Sequence, residues 1–121
     1  MTDTIRIGVE GEQAATEYLR RAGYLIVERN WRSHPHEIDI VASREGELHF
    51  VEVKTRKQGS LTTPEQAITP HKIKNLVAAV NHYVALNDIR AEVRLDLAAV
   101  ETSESGEFEV RLVPNIDNLN W

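Results

Sequence analysis

The sequence predicts an α/β domain in which a central mixed β-sheet is packed by two helices. Three observations carry that expectation. Helical periodicity appears twice, over residues 9–22 and about 70–87. Short β-type runs cluster as three between those helices and two after them, with turn signals dividing them. The resulting order, αβββαββ, segregates strands from helices.

Each element has its own signature. In VEGEQAATEYLRRA (9–22), Ala14, Ala15, Tyr18, Leu19 and Ala22 recur at helical spacing, and Gly23 follows as the stop. YLIVE (24–28) is a short strand, and Asn30-Trp31-Arg32 is read as the turn after it. HEIDIVAS (36–43) and ELHFVEVKT (47–55) alternate as strands joined at Glu45-Gly46. Residues 57–69 are loop-like, and Thr69-Pro70 supplies the cap and first residue of the second helix. That helix carries an apolar face of Ile73, Leu76, Val77, Val80, Tyr83 and Val84. EVRLDLAAV (92–100) and EFEVRLV (107–113) close the set.

The chain has 121 residues, 41% hydrophobic and 27% charged, so residues 1–121 are read as one domain. The absence of cysteine excludes a disulfide framework and a thiolate metal site. MTDTIRIGVEGEQ lacks the pattern of a signal peptide, and no apolar run reaches membrane-spanning length. The expectation is a cytoplasmic protein with no membrane partner. Net charge is −5, which argues against nucleic acid as a partner, but the deficit is local. Residues 1–87 hold eleven acidic and eleven basic side chains; residues 88–121 hold eight and three. Between 54 and 74, Lys54, Arg56, Lys57, Lys72 and Lys74 face only Glu65, a basic strip able to meet phosphate. A solvated charged loop is the alternative.

The hairpin raises the sharper question. With a two-residue loop, paired positions sum to 91, so Asp39 lies across from Glu52 and Glu37 from Lys54. Val41, Leu48 and Phe50 share that face, while Ile38, Ile40, Val51 and Val53 share the other. Facing carboxylates repel, by about 4 kcal/mol at about 4 Å and an effective dielectric of about 20. A Lys54–Glu37–Glu52 salt-bridge cluster is one compensation. The other is a divalent cation held by Asp39, Glu52 and the Val53 carbonyl, a hard oxygen set suited to Mg²⁺ or Mn²⁺. Lys54 would then orient water or stabilise charge on a phosphate.

Glu12 falls in the first turn of its helix, where a carboxylate suits the dipole. It also shares a face with Ala15 and Leu19, so it points inward and is a candidate for the metal shell. His34 and His36 flank a proline near Asp39, with no third ligand at a recognisable spacing. His49, His71 and His82 read as packing or surface residues. The apolar tail, Leu112, Val113, Ile116, Leu119 and Trp121, either closes the core or forms an interface.

Taken together, an acid on the first helix, Ile-Asp on one strand and Glu-x-Lys on the next resemble the PD-(D/E)xK nuclease superfamily. Closer still, several stretches resemble the YraN-like family of bacterial putative endonucleases. The matching stretches are Gly8-x-x-Gly11-Glu12, Glu28-Arg29-Asn30-Trp31-Arg32, Glu37-Ile38-Asp39, Phe50-Val51-Glu52-Val53-Lys54-Thr55-Arg56 and Thr69-Pro70-His71-Lys72. The similarity runs from about Gly8 to Leu97.

The resemblance implies a restriction endonuclease-like fold, related to archaeal Holliday-junction resolvases. It implies Asp39, Glu52 and Lys54 as the catalytic trio and Glu12 as auxiliary ligand to Mg²⁺ or Mn²⁺. Arg32, Arg56, Lys57 and Lys72 would contact the nucleic acid. His36 stands where the family usually has glycine, and Ile-Lys-Asn follows Lys72 where arginines are common. The expected activity is metal-dependent hydrolysis of phosphodiester bonds in branched or structured DNA, with a homodimer serving two strands. The competing expectation is a non-catalytic nucleic-acid-binding or scaffold domain that retains the nuclease fold. Hydrolysis of another phosphoester is a third.

Overall fold

The computed structural model describes residues 3–118. A first helix, α1 (Asp3–Arg21), precedes β1 (Leu25–Ser33), β2 (His36–Arg44) and β3 (Glu47–Lys57). A 3-10 turn at Glu65–Ala67 leads into α2 (Pro70–Leu86), followed by β4 (Glu92–Thr102) and β5 (Phe108–Val113). The five strands form one sheet in sequential order. Among the described strands only β3 and β4 run parallel, so α2 is the crossover between them. The expected mixed sheet, two helices and element order are all present.

Local chemistry explains most boundaries. Gly23 adopts φ +91°, and the Tyr24 N–H donates back to the Leu19 carbonyl at 2.9 Å, which ends α1. Thr69 caps α2: its hydroxyl accepts from the Lys72 N–H at 3.1 Å. Glu45 and Gly46 both take positive φ, +52° and +80°, as a two-residue hairpin with the twist of its strands requires.

Each sheet face carries its own core. Val41, Leu48, Phe50, Leu95 and Leu97 pack against Ile73, Leu76, Val80 and Tyr83 of α2. Ile40, Ala42, Val51, Ala98 and Val100 pack against Ala15 and Leu19 of α1.

Four expectations need correction. Helix α1 starts at Asp3 rather than near Val9, and Tyr18 lies off its buried stripe, 37% exposed. The Asn30-Trp31-Arg32 segment is not a turn: β1 continues through it to Ser33, with Asn30 at φ +52°. Asn30 tolerates that left-handed value, so the strand kinks there instead of ending. Ile38 packs with the α2-side core rather than with Ile40 and Val51. Of the tail, Ile116 is buried and Leu112 and Val113 pack against the two cores. They close the domain; Leu119 and Trp121 lie outside the described residues.

Candidate functional site

The site begins where the hairpin comes apart. The β2–β3 ladder follows the expected register from Arg44↔Glu47 to Ile40↔Val51 and stops there. Strand β3 continues to Lys57 because β4 still supports it from the other side. Past Ile40 the backbone groups that would have met across the hairpin need other partners. One is supplied by a side chain: the Val53 N–H donates to Asp39 Oδ2 at 2.9 Å. Asp39 therefore bridges the parting strands and lies beside Glu52.

Parting of the strands also decides the fate of Glu37. It pairs with Arg32 at 3.9 Å on the β1 side, and no salt bridge joins it to Lys54. The proposed Lys54–Glu37–Glu52 cluster is absent among the described residues, because the ladder that would have placed Glu37 opposite Lys54 has ended.

Glu52 is 8% exposed. Burial, and then the hydrogen bond and charge it shares with Asp39, push its carboxyl up to about 8. Lys54 and Lys72 pull in the opposite direction but do not win. Lys54 in turn is shifted down, first by desolvation, against the attraction of Glu52 and with the help of nearby Lys72. The arrangement is two carboxylates and two ammonium groups at one end of a buried strand, held in mutual tension.

Glu12 reaches the same place from α1. The helix sits close on β3 because residue 11 is glycine: a Cβ there would overlap the Thr55 hydroxyl oxygen. The next residue, Glu12, is partly buried and its carboxyl is raised, first by desolvation and then by the charge of Asp39. Arg29 and Asn30 of β1 oppose that rise.

The carboxylates and the two lysines line one cleft of about 1020 Å³ that reaches from the first turns of α1 to the start of α2. Glu12, Asp39, Glu52, Val53 and Lys54 line it together with Arg32, Arg56, Lys57 and Lys72. The expected catalytic trio, Glu12 and the four expected nucleic-acid contacts thus face a shared space, whereas Lys74 of the basic strip does not line it. Not all are free in it. Arg56 bonds the neighbouring Thr55 carbonyl at 2.9 Å, and Arg32 is engaged by Glu37.

Asp39, Glu52 and the Val53 carbonyl fit a hard divalent cation by donor chemistry. Glu12 adds an observation of its own: its Oε1 is buried without a hydrogen-bond partner. Even so, the three carboxylates do not close on one point. Among the described residues no group of three His, Asp or Glu side chains is tight enough to hold a metal. The fit runs through the Asp39–Glu52 pair, with Glu12 outside it.

Residues 11–100 match the family described as "Uncharacterised protein family UPF0102". The chain belongs to the UPF0102 family. A UPF0102 protein of Bacteroides thetaiotaomicron is 44% identical over 110 residues, 91% of this chain and 90% of its own. Another, from Bacteroides fragilis, is 43% identical over 104 residues, 86% of this chain and 85% of its own. A third, from Chlorobium phaeobacteroides, is 38% identical over 112 residues, 92% and 88% respectively. The UPF0102 span includes α1 from Gly11 onward and every cleft residue named above.

Several UPF0102 side chains near the cleft carry no signal of periodicity or spacing. Glu28 accepts from the Tyr83 hydroxyl at 2.9 Å, and Trp31 meets the Tyr83 ring at 5.1 Å, so β1 is pegged to α2. Arg29 reaches α1, at 2.9 Å from Gln13 and 3.7 Å from Glu12. His36 stacks on His82, whose Nε2 lies 3.0 Å from the Ser33 hydroxyl. His49 pairs with the buried Asp96 at 2.7 Å. These contacts give His49 and His82 the packing roles that their sequence context suggests.

Proposed function

We propose that this UPF0102 chain is a divalent-cation-dependent endonuclease that hydrolyses phosphodiester bonds in branched or structured DNA. The observation that carries the reading is the parting of β2 from β3, which sets Asp39 beside Glu52 with Lys54 adjacent and basic side chains around them. The resemblance to PD-(D/E)xK nucleases, and to a restriction endonuclease-like fold, points the same way.

In this reading Asp39, Glu52 and the Val53 carbonyl hold Mg²⁺ or Mn²⁺, and Glu12 assists. When bound, the cation supplies Lewis-acid chemistry at the scissile phosphate. The protein's own groups do the rest. Asp39 keeps the strands apart by satisfying Val53, so the two carboxylates stay accessible to the cleft. Lys54, poorly solvated and next to Lys72, presents positive charge where charge develops on a phosphate. Lys72 and Arg56 line the approach and meet the sugar-phosphate backbone. Cutting both strands of a junction calls for two clefts, hence a homodimer.

The test is a panel of labelled junction, flap, single-stranded and duplex DNAs incubated with Mg²⁺ or Mn²⁺. Cleavage that disappears in both Asp39→Ala and Lys54→Ala supports the reading. Equal cutting by both variants assigns the activity to a contaminant and removes this site. The second reading, a non-catalytic nucleic-acid-binding or scaffold domain, draws on the net charge of −5. Junction binding without cleavage under either metal selects it.

A further inference from the structure

Helical periodicity starts the first helix near Val9, but α1 begins at Asp3, and the added turns carry a face that the proposed chemistry leaves without a task. Ile5, Gly8, Val9 and Glu12 follow one another at helical spacing, so they share one stripe. Where α1 lies on the sheet, its inward residues Ala15 and Leu19 are fully buried, and Gly11 sits against Thr55 of β3. Ahead of Gly11 that cover is lost. Ile5 is 56% exposed and Val9 57%, and a Cβ added at Gly8 would meet nothing within 4 Å. Ile5, Ile7, Gly8 and Val9 nevertheless all line the cleft that holds Asp39 and Glu52.

The cleft therefore has two unlike linings. From α1 it receives aliphatic side chains and, before Glu12, no charge; from β3 and α2 it receives Lys54, Arg56, Lys57 and Lys72. An exposed aliphatic patch rimmed by polar residues marks a surface that meets something else. The partner that suits both linings is apolar on one side and anionic on the other. A duplex keeps its bases stacked inside and shows phosphates outside, so it matches the basic lining alone. A single strand carries phosphates along one edge and bare base faces along the other.

We propose that Ile5 and Val9 receive the bases of a single-stranded segment while Lys57 and Lys72 hold its phosphates, so that the cleft selects the unstacked strand at a branch over paired duplex. This rests on the reading of the cleft as a nucleic-acid site and names the form of strand it takes. Aliphatic side chains do similar work when they wedge between base steps and hold them unstacked.

The experiment is fluorescence anisotropy of labelled DNA with the full chain in EDTA, where binding is read without cleavage. The probes are a thymidine single strand, an abasic strand of equal length, a flap and a blunt duplex. Wild type is expected to bind the thymidine strand and the flap more tightly than the abasic strand and the duplex. The double variant Ile5→Gln, Val9→Gln should lose roughly 10–100-fold on the thymidine strand, the worth of covering two half-exposed aliphatic side chains, and nothing on the abasic strand or duplex. Lys72→Ala should instead weaken every probe and lower the salt dependence, as loss of a phosphate contact does. Glutamine is a good helix former and both positions are exposed, so the fold is kept, which circular dichroism checks. Equal affinity of wild type and double variant for the thymidine strand overturns the inference, as does an equal loss on the abasic strand. So does sedimentation showing a wild-type dimer that the double variant splits, which puts a second copy on this face. Cleavage that needs Asp39 and Lys54 but ignores the double variant overturns the role of Ile5 and Val9 and leaves the nuclease reading standing. Base-dependent binding as expected, with no probe cleaved under either metal, supports the inference and overturns the nuclease reading.

Discussion

Glu52→Gln is expected to make the metal-free protein more stable at alkaline pH and to flatten its pH dependence. Glu52 holds its proton in the folded chain up to about pH 8, against an ordinary value of 4.5. Unfolded, the group ionises near that ordinary value. Across this window the folded chain therefore binds a proton that the unfolded chain has released, and stability falls as pH rises. At about 1.4 kcal/mol per pH unit the full loss is on the order of 3–5 kcal/mol, complete above about pH 8 and absent below about pH 4.5. A glutamine keeps the shape and the hydrogen bond to Asp39 but has no proton to lose. Urea denaturation of wild type and Glu52→Gln in EDTA, from pH 4.5 to 9, measures the difference directly. The two curves should meet at the acid end and separate progressively above it. Adding Mn²⁺ at pH 8 should recover the wild type and leave Glu52→Gln unmoved. Parallel pH curves for the two proteins would refute the assignment of this penalty to Glu52.

Three further outcomes follow from the same geometry. Lys54→Met should slow single-turnover cleavage of junction DNA by on the order of 10²–10³-fold, with Mn²⁺ affinity near wild type; lost affinity would make Lys54 a structural residue instead. Gly11→Ala should destabilise the protein by about 1–3 kcal/mol in urea, because the added methyl overlaps Thr55, and Thr55→Ala should recover part of that. Thr69→Ala should cost about 1 kcal/mol by removing the α2 cap, an effect that circular dichroism in urea would register and that Thr69→Ser should largely avoid.

Much of the site was legible because a strand's side chains alternate and a two-residue turn fixes the count. From Glu45-Gly46 alone, the pairs Arg44↔Glu47 through Ile40↔Val51 are those observed. Glu12 was legible for a similar reason: helical spacing tied it to Ala15 and Leu19, both fully buried. What escaped the sequence is what departs from a repeat. The end of the hairpin ladder at Ile40 has no periodic mark, so counting from the turn sets Glu37 across from Lys54 and Ile38 on the wrong face. Asn30 read as a turn because asparagine favours left-handed backbone, whereas here a strand absorbs that conformation and continues. Arg29 is 17 residues from Glu12, and nothing in local pattern joins them.

The single parallel pair in the sheet has a consequence for how such a protein can diversify. To run alongside β3, β4 must be reached by a chain that leaves one end of the sheet and returns to the other, and α2 makes that journey. The crossover therefore departs from Lys57, enters α2 at Pro70 and reaches β4 at Glu92. Residues 58–69 span that interval with little of the core invested in them beyond Pro64 and Ile68. None of this arm lines the cleft, so lengthening it would leave the carboxylates where the sheet put them. The carboxylates and this arm thus lie on separate stretches of chain, and one can change in length while the other is kept.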